Sequence, residues 1–206
     1  GMAPGARWIG CRNMDQGNGT PATYAECYQW FVAPTDLNNL NPDPTLAPDV
    51  INNSWSCPVE EGCTDPNVLL TVVENVRAAG IVTVHSAGNS GSSCSTISTP
   101  SAIYDASFTV GSTTSTDAAS SFSSRGPVTV DGSNRMKPDI AAPGSNVRSS
   151  FPGGSLWLAQ RHQHGRPCSH RRRGAAARGA TLADARSGQN APHEECLARL
   201  CSLGHS

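Results

Sequence analysis

Charge is scarce in this chain. Only 15% of its 206 residues are Asp, Glu, Lys or Arg, which excludes both a highly charged disordered chain and a coiled coil. No stretch approaches 18 consecutive apolar residues, so a transmembrane helix is excluded. The charged-then-apolar layout of a signal peptide is missing from the first residues. An opening Met is missing too. Gly1 comes first, and the expectation is a chain that begins partway through a longer protein. What is present is 37% hydrophobic residues with 20 Gly and 15 Pro, enough for one domain of ordinary size and a tail.

The net charge of −1 conceals a switch along the chain. Residues 1–154 hold 7 of the 15 Lys and Arg and 13 of the 16 Asp and Glu, a balance of −6. Residues 155–206 hold the other 8 and 3, a balance of +5, with five of the six His. So abrupt a change marks a boundary between two kinds of sequence. Eight Cys are many for a cytosolic enzyme and fit an oxidising compartment. Cys57 and Cys63 enclose a short acidic loop and are placed to pair locally, and Cys11 and Cys27 to pair across one strand–helix unit. Spacing does not fix connectivity, so other pairings stay open.

Residues 6–11 (Ala-Arg-Trp-Ile-Gly-Cys) read as a short strand. From Thr23 to Phe31, Ala25, Tyr28 and Phe31 fall at helical spacing, with Thr23 or Thr20 as the N-cap. Residues 33–49, rich in Pro, Asn and Asp, read as a loop, and residues 49–54 as a strand. Residues 67–79 give the clearest helix: Val68, Leu69, Val72, Val73 and Val76 form one apolar face, and Gly80 is placed to end it. The β-branched run 81–84 follows at once, and residues 107–110 and 139–142 supply further strands. Strand, helix and strand in close succession predict a parallel α/β sheet.

Ser86-Ala-Gly-Asn-Ser-Gly91 sits where the 81–84 strand runs out. Its small residues permit close backbone approach, and Asn89 offers an amide donor at the strand end where ligands bind in open α/β sheets. By itself the hexapeptide reads as a Gly/Asn turn. It is accompanied by Gly1-Met-Ala-Pro-Gly-Ala6, Val50-Ile-Asn-Asn-Ser-Trp55, Phe122-Ser-Ser-Arg-Gly-Pro127 and Lys137-Pro-Asp-Ile-Ala-Ala-Pro-Gly144. In this order and at these spacings the five resemble the subtilisin-like serine proteases, the subtilases. Cys57-Pro-x-x-x-Gly-Cys63 and Pro100-x-x-Ile-Tyr-Asp105 look like the bacillopeptidase-F-like branch.

The resemblance covers residues 1 to about 154 and implies roles for matching positions only. Asn89 matches the side-chain donor of the oxyanion hole, whose loss typically costs ~10²–10³ in turnover. Ser54, Trp55 and Ser56 match the strand that pairs with extended substrate and lines one wall of the S1 pocket. Ser56 stands where the family usually has Gly. Ser86, Ala87 and Gly88 match the opposite wall. The family's Asp and His precede the Gly-Met-Ala-Pro-Gly-Ala motif with which this chain opens, so both triad positions would lie before Gly1. His85 is in the wrong motif to replace the base and reads as a histidine at a strand end.

The nucleophile should follow Ala-Pro-Gly by roughly the distance from Gly144 to Gln163, yet no Gly-Thr-Ser-Met occurs there. Instead residues 155–167 read Ser-Leu-Trp-Leu-Ala-Gln-Arg-His-Gln-His-Gly-Arg-Pro. Degenerate codons, read one base later, permit Tyr-Gly across 156–158 and Ser-Gly-Thr-Ser-Met across 160–165. A one-base frame change near Gly154 is therefore expected, and out-of-frame GC-rich DNA accounts for a tail of Arg, Ala, Gly, Pro and His. Two rival uses of the tail stand beside it. Arg171, Arg172 and Arg173 with Arg166 and Arg178 are the residue type that could bind phosphates. His162, His164, Cys168 and His170 resemble a metal cluster, at a spacing that matches no standard zinc module.

The expected fold is α/β, a subtilisin-like, mainly parallel sheet flanked by helices and incomplete at both ends. Residues 1–154 form a partial catalytic domain and residues 155–206 a disordered basic tail. The implied activity is serine endopeptidase hydrolysis through an acyl-enzyme. The chain as given is expected to be inactive, because the triad Asp, His and Ser are absent. An extended peptide or protein is the expected partner, with no membrane, no nucleic acid and no metal, and the expected location is extracellular. Structural calcium belongs to the family, and no residue here is assigned to it. Two alternatives are a non-catalytic module that holds peptides beside residues 54–56 and a basic-tailed nucleic-acid binder, which salt-dependent DNA affinity would reveal.

Overall fold

The computed structural model describes residues 3, 5–150, 154 and 156–159. Its first regular element is α1, Pro21–Val32. Thr20 caps it reciprocally with Thr23: each side chain accepts from the other's backbone N–H, at 3.2 and 2.9 Å. Pro21 lies at the first turn, where its missing N–H costs nothing. Tyr24, Cys27 and Tyr28, three and four residues apart, are its buried face, and a Cys11–Cys27 disulfide staples it to the preceding segment. That segment is not the strand expected at 6–11. Residues 6–11 carry no regular secondary structure, and Trp8 and Ile9 are exposed. Strand preference expresses itself only where a sheet edge is offered.

Four strands form a parallel sheet in the order β1-β2-β3-β4: β1 Val50–Asn53, β2 Val82–Ser86, β3 Ser107–Thr113 and β4 Ile140–Pro143. Between β1 and β2 runs α2, Leu70–Ala78, which buries Val73 and Val76. Each such side chain contributes ~1.5–3 kcal/mol on burial. The helix begins three residues later than its apolar pattern suggests, because residues 66–69 form turns. Its entry is capped from afar: the Tyr104 hydroxyl accepts the Leu69 N–H at 3.1 Å and donates to the Pro66 carbonyl at 2.8 Å. Gly80, at φ +87°, ends it as expected. A second disulfide, Cys57–Cys63, closes the acidic loop after β1.

The register places Ile51, Asn53, Thr83, His85, Ser107 and Thr109 on one face of the sheet. The helices pack on this face, and the main core joins Ile51 to Tyr24, Tyr28, Val73, Val76 and Ile103. On the other face Val84, Val110 and Ala142 form a smaller cluster with half-buried Val82, Phe108 and Ile140. The Lys137-Pro-Asp139 motif locks β3 to β4. Lys137, buried, donates to the Ser107 carbonyl at 2.7 Å and to Asp139 Oδ2 at 2.6 Å. The same carboxylate oxygen accepts the Thr109 N–H at 2.6 Å. Burial pushes the Lys137 ammonium below its ordinary pKa, with Asp139 working the other way.

A two-stranded antiparallel ribbon follows, β5 Val147–Ser150 with β6 Leu156–Ala159. β6 belongs to the segment expected to lack structure, so regular pairing crosses the boundary placed at residue 154. The basic and His/Cys-rich groups of residues 161–178 lie outside the described residues.

Candidate active site

β1 and β2 run side by side, with Asn53 opposite His85. The residues that follow each strand therefore leave the sheet together at its C-terminal edge, where an open α/β sheet offers its binding crevice. After β1, Ser54 and Ser56 are exposed, and the Ser54 hydroxyl accepts from Asn52 Nδ2 at 3.2 Å. Trp55 between them turns inward. Its ring stacks on Tyr24 at 4.0 Å and 4°, and its indole N–H donates to Asn53 Oδ1 at 3.1 Å. At position 55 the group left for a ligand is the backbone.

On the β2 side, Ser86 is half-buried and Ala87 is buried with its N–H on the Val110 carbonyl at 2.9 Å. Gly88 turns the chain at φ +103°, a conformation that favours glycine. Asn89 then stands exposed at the bend. Its carboxamide has no hydrogen-bond partner among the described residues. The structure thus brings residues 54–56 and 86–89 to one edge.

Beneath that edge the sheet carries a seam of buried polar groups. His85 Nε2 lies 2.9 Å from the Tyr28 hydroxyl, which also lies 3.4 Å from Ser101 Oγ. Trp55 meets the His85 ring edge-on at 5.8 Å. Burial, aided by the Lys137 charge, holds the His85 pKa down at about 3, and burial also pushes the Tyr28 hydroxyl above its ordinary range. Both groups are neutral across the physiological range. His85 is 1% exposed, so no substrate proton reaches it. It is the one histidine among the described residues, and its role is to tie α1 to β2. No group of three or more His, Cys, Asp or Glu converges as metal ligands among the described residues.

Residues 122–124, singled out in the sequence without a role, lie against the loop that carries Asn89: the Ser124 N–H donates to the Gly88 carbonyl at 3.1 Å. The signal was the motif itself, although only contact shows what it touches.

These features define an open parallel α/β protein whose candidate site residues gather at the carboxyl ends of two adjacent strands. The sequence pattern of the Subtilase family matches residues 1–180. The chain belongs to the subtilase family. It is 39% identical over 159 residues to Bacillopeptidase F of Bacillus subtilis (strain 168), covering 74% of this chain and 10% of that protein. To Serine protease AprX of the same organism it is 37% identical over 160 residues, covering 72% and 34%. A solved structure of a cold adapted subtilisin-like serine proteinase matches at 26% identity and TM-score 0.57, covering 78% of this chain and 49% of that one. The chain spans about a tenth to a third of these curated relatives. The incomplete subtilisin-like α/β fold expected from the motifs is the fold found.

Proposed function

We propose that this chain is the substrate-binding part of a secreted serine endopeptidase, and that alone it binds extended peptide without cleaving it. The observation that carries the reading is the exposed carboxamide of Asn89, without a hydrogen-bond partner among the described residues, at the turn after β2 and beside residues 54–56, of which Ser54 and Ser56 are exposed. A peptide laid along residues 54–56 as an added strand uses backbone groups for affinity. Residues 86–88 then form the facing wall, and Asn89 donates to a carbonyl oxygen. In a complete protease that donor acts where charge develops on the carbonyl oxygen during attack.

Hydrolysis also needs a nucleophilic Ser, a His base and an Asp to orient it. No segment of residues 1–206 matches the family motifs that carry the Asp and His, and residues 160–165 stand where its Gly-Thr-Ser-Met is expected. Residual catalysis from a carbonyl-binding donor alone is orders of magnitude below protease rates. The frame change near Gly154 accounts for the missing nucleophile and for the composition of residues 160–206. The two disulfides within residues 1–154 suit an oxidising, extracellular location.

Two measurements test the reading. The purified chain, incubated with a serine-directed phosphonate, should keep its intact mass and leave a general protein substrate uncut. Stoichiometric labelling of any serine overturns the inactivity. The nucleotide sequence over codons 150–165 should encode Ser-Gly-Thr-Ser-Met one base out of register, and an incoherent second frame there overturns the frame change.

A further inference from the structure

The loop that presents Asn89 is held from both sides by one buried residue. Ser124, 1% exposed, donates its N–H to the Gly88 carbonyl at 3.1 Å. Its Oγ accepts the Ser90 N–H at 2.9 Å. The residues immediately before and after Asn89 are therefore fixed to the same side chain and backbone, while the Asn89 carboxamide has no hydrogen-bond partner among the described residues. One residue further on, the Gly91 N–H donates to the Phe122 carbonyl at 3.0 Å, and the Gly91 carbonyl accepts from Thr96 Oγ1 at 3.3 Å.

The clamp is anchored in turn. Ser123 Oγ accepts the Ser112 N–H of β3 at 3.0 Å, and the Arg125 N–H donates to Thr96 Oγ1 at 2.9 Å. A rigid strand thus supports residues 122–125, and these support residues 88–91. Gly88 completes the fit. A Cβ there would stand 2.9 Å from Ser124 Oγ, and its φ of +103° already disfavours any other residue. A donor is useful to a developing charge only when its direction is set before the charge appears.

We propose that Ser124 is the positioning residue of the carbonyl-binding loop, its hydroxyl and N–H fixing residues 88 and 90 so that the Asn89 carboxamide is preorganised at the C-terminal edge of β2. The proposal rests on Asn89 as the donor to a peptide carbonyl, but the orientation is measurable without any peptide.

The test is NMR on the full ¹⁵N-labelled chain with Ser124→Ala, a change that removes a single oxygen. Amide exchange at Ser90 should rise roughly tenfold, the effect of one lost hydrogen bond. The Asn89 carboxamide resonances should move toward unstructured values, and the amides of Thr83, Val84 and His85 should stay protected. Gly88→Ala, which drives a methyl group at the same oxygen, should displace the Asn89 resonances too. Unchanged Asn89 and Ser90 signals in either variant overturn the proposal. So does a uniform loss of protection that includes β2, because that marks Ser124 as a general packing residue. If the signals behave as expected but the wild-type chain binds no extended peptide, the positioning stands and the functional reading fails.

Discussion

Gly19 has no room for a side chain. A Cβ there would lie 2.4 Å from the Tyr24 ring, and Tyr24 cannot yield, because it is fully buried, stacked on Trp55 and donates its hydroxyl to Glu61. Gly19→Ala should therefore destabilise the chain by ~1–3 kcal/mol, read as a lower urea midpoint at unchanged slope. Tyr24→Phe should cost ~1–2 kcal/mol by removing a hydrogen bond to a carboxylate. Burial first, then the Glu61 carboxylate, keeps the Tyr24 hydroxyl protonated well above the ordinary tyrosine range, so this donor should survive mild alkali. Both substitutions act at the base of residues 54–56, since Trp55 rests on Tyr24. Their effect on peptide affinity should accordingly exceed that of equally destabilising changes in α2.

Between elements, the ties are buried polar groups. His85 is neutral when folded, with a pKa of about 3, against ~6.5 in the unfolded chain. As pH falls below 6.5 the unfolded state takes up a proton that the folded state refuses, so stability falls with pH down to about 3. The loss reaches roughly 5 kcal/mol at most. Urea midpoints at pH 7, 5.5 and 4 should decline, and His85→Phe should flatten that decline. An equally steep decline in the variant would assign the effect elsewhere. Lys137→Met should cost ~2–4 kcal/mol by leaving Asp139 and the Ser107 carbonyl without their buried partner, with exchange rising first at the β3–β4 pairing. At this scale the β-branched run 81–84 and the apolar face of Val68, Leu69, Val72, Val73 and Val76 made β2 and α2 legible in the sequence. The polar seam was not, because Thr83 and His85 alternate with Val as if they faced water. The partner of His85 is Tyr28 of α1, more than fifty residues earlier. The entry of α2 was hidden for the same reason, its cap being Tyr104. Residues 6–11 form no strand, their segment being tied instead to α1 by the Cys11–Cys27 disulfide. The loop at Asn89 was legible as a motif, whereas its clamp at Ser124 lies thirty-four residues away.

As a whole molecule, the chain carries on a small parallel sheet the edge that we propose faces substrate. Among the described residues β1 pairs only with β2, leaving a free strand edge with Val50 and Asn52 exposed. Free edges recruit other strands, so the purified chain should associate as its concentration rises. Asn52→Lys, which puts a charge on that edge, should reduce the association seen in sedimentation. The most direct measurement of the central claim is a titration of the ¹⁵N-labelled chain with an extended peptide. Shifts should concentrate at residues 54–56 and 86–89, with the Asn89 carboxamide moving downfield as it donates to a carbonyl, and the peptide should be recovered uncut. Shifts that leave residues 54–56 and Asn89 in place, or a cleaved peptide, would contradict a substrate-binding edge that lacks its nucleophile.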